Sequence, residues 1–126
     1  MISLKGAFMT AKTWRSRIKK ACVDAGTYKK CFDSVIDTLS QIMAERDEAR
    51  EAYDGVPIVK HTNQGGNTNL VQNPALRLIN DLNRDALAYW RELGLTPKGL
   101  RQINEAAIKE TKTTSALEKA LAKLET

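Results

Sequence analysis

Three sets of residues in this 126-residue chain have side chains suited to chemistry: one histidine, two cysteines and a run of cations. His61 stands among Asn63, Gln64, Asn67 and Asn69. As a general base it would need a nucleophile, and Cys22 and Cys31 are the only thiols. A catalytic pair also needs a third group to orient the base, and no residue pattern here supplies one. Two cysteines nine positions apart, with no Cys-x-x-Cys and a single histidine, do not make a zinc site. They could meet across a turn, but in an intracellular chain they are expected to be reduced, half-buried side chains. Gly65-Gly66 lacks the Gly-Lys-Ser/Thr that follows in a phosphate-binding loop, so no nucleotide site is expected. The sequence therefore reads as non-catalytic and without a cofactor or metal. The His61 segment is either a polar loop that lines a channel or touches a partner, or a plain exposed loop.

The cations carry a stronger signal, because they are unevenly placed. The whole chain has a net charge of +5. Residues 1–31 hold Lys5, Lys12, Arg15, Arg17, Lys19, Lys20, Lys29 and Lys30 against Asp24 alone, a net +7. Residues 32–54 hold Asp33, Asp37, Glu45, Asp47, Glu48, Glu51 and Asp54 against Arg46 and Arg50, a net −5. Clustered cations bind phosphates by releasing condensed counterions. Lys12, Arg15, Arg17, Lys19, Lys20, Lys29 and Lys30 are thus the candidate DNA contacts. The competing reading is a solvated basic face that balances the acidic stretch of a neighbouring subunit. Tyr89-Trp90 could stack on bases, but on an amphipathic helix aromatic pairs more often seal a core.

The elements that must position these residues are marked by caps. Gly26, Gly55 and Gly94 each follow a helical pattern, as a left-handed terminating residue does. Asn73-Pro74 and Thr96-Pro97 pair an N-cap side chain with proline at the first helical position. Ser115-Ala116-Leu117-Glu118 has the form of a capping box. These marks predict helices over about 12–25, 28–54, 74–93, 97–110 and 116–124. No stretch alternates as a strand should. Val56-Pro57-Ile58-Val59 is the one candidate for a short strand or extended arm, inside a long connection from Gly55 to Gln72. Tyr28, Phe32, Val35, Leu39, Ile42, Arg46, Ala49 and Tyr53 recur at alternating spacings of four and three, a heptad seam. The expected fold is all-α: a long antiparallel helical hairpin over 28–95, a basic N-terminal segment over 1–31, and short C-terminal helices over 96–126. So small and elongated a hairpin leaves apolar surface bare, and self-association is the expected remedy. Phe32, Val35, Leu39, Ile42, Leu82, Tyr89 and Trp90 are the candidate contacts between copies. No apolar run approaches the length of a membrane span, and the beginning of the sequence lacks a signal-peptide layout, so an intracellular protein is expected.

Three segments carry a resemblance to a known family. The first is Thr13-Trp14-Arg15 with Gly26-Thr27-Tyr28. The second is Thr62-Asn63-Gln64-Gly65-Gly66-Asn67-Thr68-Asn69 with Asn73-Pro74. The third is Leu82-Asn83 with the run from Ala86 to Pro97, Ala-Leu-Ala-Tyr-Trp-Arg-Glu-Leu-Gly-Leu-Thr-Pro. Together they resemble the small subunit of phage terminases over about Thr13 to Glu105. The resemblance implies a ring of protomers around a central channel that recognises packaging-initiation sites on concatemeric viral double-stranded DNA. It implies recruitment and regulation of the terminase large subunit, which holds the ATPase and nuclease, in the host cytoplasm. On this reading the segment 96–126 is a contact for the large subunit. Two other readings stand beside it: a dimeric phage or prophage DNA-binding regulator, and a helical adaptor without DNA affinity.

Overall fold

A computed structural model describes residues 9–124. Lys5 and the rest of 1–8, counted in the basic segment, lie outside the described residues, as do Glu125 and Thr126. In chain order the elements are α1 (Ala11–Ala25), a 3-10 turn (Lys30–Phe32), α2 (Asp33–Ala52), β1 (Ile58–Thr62), β2 (Thr68–Gln72), α3 (Pro74–Glu92) and α4 (Pro97–Leu124). The protein is mostly helical but not all-α, because β1 and β2 form a two-stranded antiparallel sheet.

α2 lies in the middle and is covered on two sides. Arg15 pairs with Asp37, and the Trp14 indole donates to Asp47 at 2.8 Å, so α1 lies along the stripe that runs through Asp33, Ile36, Ser40 and Asp47. α3 packs on α2 as well and runs in the opposite sense. Its N-cap, Asn73, donates to Asp54 and Val56 beyond the end of α2, and Thr27, just before α2, donates to the Leu93 carbonyl at 2.8 Å. Ile18 and Cys22 from α1, Ile36, Leu39 and Met43 from α2, and Ala86 and Leu93 from the α3 end make one buried cluster. Burying each large aliphatic side chain there contributes roughly 1.5–3 kcal/mol. The heptad seam marks only one of the two stripes that α2 needs. Burial is centred on Ile36, Leu39, Ser40 and Met43, and Phe32, Val35 and Ile42 flank it half-buried.

Most of the sequence caps are found where they were expected. Thr10 caps α1, and Gly26 ends it at φ 76°, its N–H and that of Thr27 bonding back to Val23 and Cys22. Gly94 ends α3 at φ 72° in the same six-to-one pattern, with Leu95 N–H on the Trp90 carbonyl. Asn73 accepts from Ala75 N–H at the start of α3.

Three expectations are corrected. α2 does not begin at Tyr28. Thr27 is turned inward onto Leu93, Lys29 is extended, and a 3-10 turn precedes the helix. α2 also stops at Ala52, where Tyr53 turns extended, so Gly55 sits in the following bend and is not the cap. The Gly55–Gln72 connection is an ordered hairpin. Its alternation was invisible because both faces meet water, and only Val59 and Val71 are half-buried. Finally, one helix runs unbroken from Pro97 to Leu124, about 42 Å at the standard rise. The expected break before Ser115 is bridged by Thr111 and Thr113, whose hydroxyls donate to the Ala107 and Lys109 carbonyls. A threonine that bonds back in this way stays within the helix.

α4 leaves the body at a close backbone crossing. A Cβ on Gly99 would overlap the Arg91 carbonyl oxygen, and one on Gly94 would lie 2.7 Å from Ile103 and 2.9 Å from Thr27. Alanine in a helix is ordinarily about 1 kcal/mol better than glycine. Gly99→Ala is expected to lower stability by about 1–3 kcal/mol instead. Urea unfolding checks it, and a stabilised variant would show that the α3–α4 crossing is loose.

Candidate nucleic-acid interface

α1 turns Ile18 and Cys22 fully inward, with Trp14, Ala21 and Ala25 half-buried beside them. The helical period then forces Lys12, Arg15, Arg17, Lys19 and Lys20 onto the outer arc, and all five are exposed. Lys29 and Lys30 are exposed in the connection to α2. All seven expected DNA-contact residues therefore reach solvent along one helix and the turn after it.

Their local settings differ. Arg15 lies at the edge nearest α2 and forms an ion pair with Asp37, both partly exposed, so part of its charge is compensated. Arg17 sits over the Trp14 ring at 5.5 Å, and Lys19 sits over the Tyr28 ring at 5.0 Å. These aromatic faces hold the charged groups of two cations without neutralising them. Asp24 is the single acid on α1. The acids of the second half of α2, Glu45, Glu48 and Glu51, are also exposed. One protomer thus presents a basic helix and an acidic helical segment to solvent.

Trp14 fixes this helix in place. Its indole N–H donates to Asp47, whose other oxygen pairs with Arg46 at 2.9 Å. The Arg46 side chain is largely covered, and its buried Nε has no hydrogen-bond partner. A heptad position that reads as apolar packing therefore carries an ion pair, and the sequence period alone does not distinguish the two.

The other candidate residues are dispersed. Cys22 is buried in the helical core, where desolvation pushes its thiol pKa up and hydrogen bonding to Thr27 works the other way. Cys31 is exposed in the 3-10 turn before α2, and the two cysteines are free thiols. His61 is exposed on β1, beyond the opposite end of α2. The structure does not bring it together with either thiol. Among the described residues no group of three or more His, Cys, Asp or Glu side chains could hold a metal ion. No helix of the described residues is long and apolar enough to cross a membrane.

Leu39, expected to meet another copy, is completely buried within this chain. Phe32, Val35, Ile42, Tyr89 and Trp90 are half-buried and pack on the same core. Leu82 is half-buried on α3. The large apolar side chains that do face solvent lie mainly elsewhere: Leu78 and Leu87 on α3, and Ile108, Leu117, Leu121 and Leu124 on α4. Heptad spacing found the protomer's core, because the same period serves helices of one chain or of two.

The molecule is thus a small, mostly helical protein with a cationic helix laid on its surface. A family model described as phage terminase, small subunit, matches residues 11–121, and the chain belongs to that family. No curated protein and no solved structure gives a match.

The Trp14 anchor is testable. Trp14→Phe keeps an aromatic side chain but removes the pyrrole half of the indole with the N–H donated to half-buried Asp47. Stability is expected to fall by about 1–3 kcal/mol, as for the removal of a hydrogen bond to a charged group. Denaturant unfolding followed by circular dichroism measures it. No change would mean that water replaces the indole at Asp47.

Proposed function

We propose that this chain is the DNA-contacting, ring-forming and non-catalytic small subunit of a phage terminase. In this role it acts in the host cytoplasm, binds viral double-stranded DNA and brings it to the large subunit with its ATPase and nuclease. The family match supports the packaging role. The observation that carries the DNA contact is the outer arc of α1, where Lys12, Arg17, Lys19 and Lys20 are exposed and Asp24 is the only carboxylate on the helix. Lys29 and Lys30 extend this arc, and Arg15 joins it at the Asp37 edge.

The two remaining parts of the reading rest on exposed apolar surface. From Asn104 to Leu124 every residue of α4 is exposed. Leu117, Leu121 and Leu124 follow one another at helical spacing on that segment, in the part of the chain assigned to the large subunit. Assembly into a ring falls to the helical body, whose α3 exposes Leu78 and Leu87. A dimeric regulator would pair through the long second helix. That helix is already covered by α1 on one side and α3 on the other.

Lys12→Glu with Lys19→Glu and Lys20→Glu is expected to weaken duplex binding and to flatten its salt dependence. The log–log slope should fall by about 0.9 for each DNA phosphate that is no longer neutralised. Fluorescence anisotropy across a salt series reads both quantities. Unchanged affinity and slope would remove α1 from the DNA interface. Native mass spectrometry of the unmodified protein is expected to show a closed assembly of more than about four protomers. A twofold dimer would favour the regulator.

A further inference from the structure

We propose that the β1–β2 hairpin is a second DNA element that reads base edges in the major groove, so that sequence preference resides in the hairpin and general affinity in α1. This rests on the DNA-binding reading above and assigns a role to a segment which that reading leaves unused.

Shape is the first support. Every residue from Lys60 to Leu70 is exposed, so the ribbon stands clear of the helical body on both faces. A two-stranded ribbon is one of the few protein elements that enter the major groove, which is about 12 Å wide.

Charge is the second. The chain holds no carboxylate between Asp54 and Asp81, although acids make up 15 of its 126 residues. A solvated hairpin ordinarily carries both signs of charge. This one carries Lys60 as its one charged side chain, with His61, Thr62, Asn63, Gln64, Asn67, Thr68 and Asn69 toward its tip. Such a ribbon suits a strongly negative groove with donors and acceptors on its floor.

Pre-organisation is the third. Asn63 and Asn67 close the loop through a backbone bond of 2.9 Å, and Gly66 takes the left-handed conformation at φ 81°. The Asn63 carboxamide oxygen accepts from the Gly65 and Asn67 N–H groups, each at 3.0 Å. The Thr62 and Thr68 hydroxyls bond to each other across the strands at 3.1 Å. Asn73 pins the base through the Pro57 and Val56 carbonyls. The tip is therefore held rigid by Asn63 and the two threonines. The side-chain amides of Gln64, Asn67 and Asn69 have no partner among the described residues. A free carboxamide offers a donor and an acceptor side by side, the pattern that pairs with adenine in the major groove.

The test uses the full-length protein and a pool of duplex DNA with a randomised core, from which bound sequences are selected and read. The unmodified protein is expected to enrich a defined motif. Gln64→Ala with Asn67→Ala and Asn69→Ala leaves every backbone bond of the hairpin in place. That variant is expected to bind the enriched motif about tenfold or more weakly while holding unselected duplex nearly as well. Lys12→Glu with Lys19→Glu and Lys20→Glu should weaken binding to the whole pool and keep the motif. The inference is overturned if the hairpin variant enriches the same motif equally, or if the unmodified protein retains duplex DNA but enriches nothing. It is also overturned if the hairpin variant changes the assembly size and leaves the motif intact, since the ribbon would then join subunits. Failure of the unmodified protein to retain any duplex would overturn the α1 reading as well.

Discussion

Ile36 and Leu39 lie on neighbouring stripes of α2, and water must be kept from both at once. No single partner helix covers two stripes, so α1 and α3 must both be in place. The chain achieves this with two left-handed glycine caps and one buried threonine. Gly26 reverses the chain after α1, Gly94 reverses it after α3, and Thr27 joins the two reversals through the Leu93 carbonyl. α4 departs from the same corner, with Gly94 and Gly99 allowing the close backbone approach made there. A change at this corner would be felt in the core, the basic helix and the projecting helix together.

This construction explains how a small protein can present a cationic surface without burying charge. α1 spends one narrow face on the core, chiefly Ile18 and Cys22, and leaves the rest of its circumference to cations. The Trp14 to Asp47 bond and the Arg15 to Asp37 pair hold it against α2 by its edges. In the proposed function, affinity for a polyanion and attachment to the body draw on different sides of one helix. The hairpin follows the same division. Asn63, Thr62 and Thr68 fix its shape, and the neighbouring amides stay free.

Apolar surface is unevenly finished. The core of the three packed helices is closed, and the long α4 is bare beyond its first two turns. An isolated helix of this kind gains little from propensity alone, since most helical stability comes from packing an apolar face. In the proposed function, Leu117, Leu121 and Leu124 are the side chains that contact with the large subunit would cover. In a family whose members work beside a larger packaging subunit, that bareness is coherent with the proposed function.

The sequence by itself determined the caps at Gly26, Asn73, Gly94 and Thr96, the charge segregation and the inward faces of α1 and α3. These depend on local backbone sterics and on the 3.6-residue period, which act within a few residues. The exposure of the five cations on α1 also follows from the period. The family followed from short motifs, the last of them in the run from Ala86 to Pro97 that ends α3 and begins α4. Only the tertiary structure decided that Leu39 belongs to the protomer's own interior, because heptad spacing is the same for helices of one chain or of two. It also decided the start of α2, which depends on Thr27 finding a carbonyl 66 residues away. It decided that 58–72 is a ribbon, since strands that bury neither face leave no alternation to read. And it decided that α4 runs on through Ser115, where the local pattern reads as a capping box.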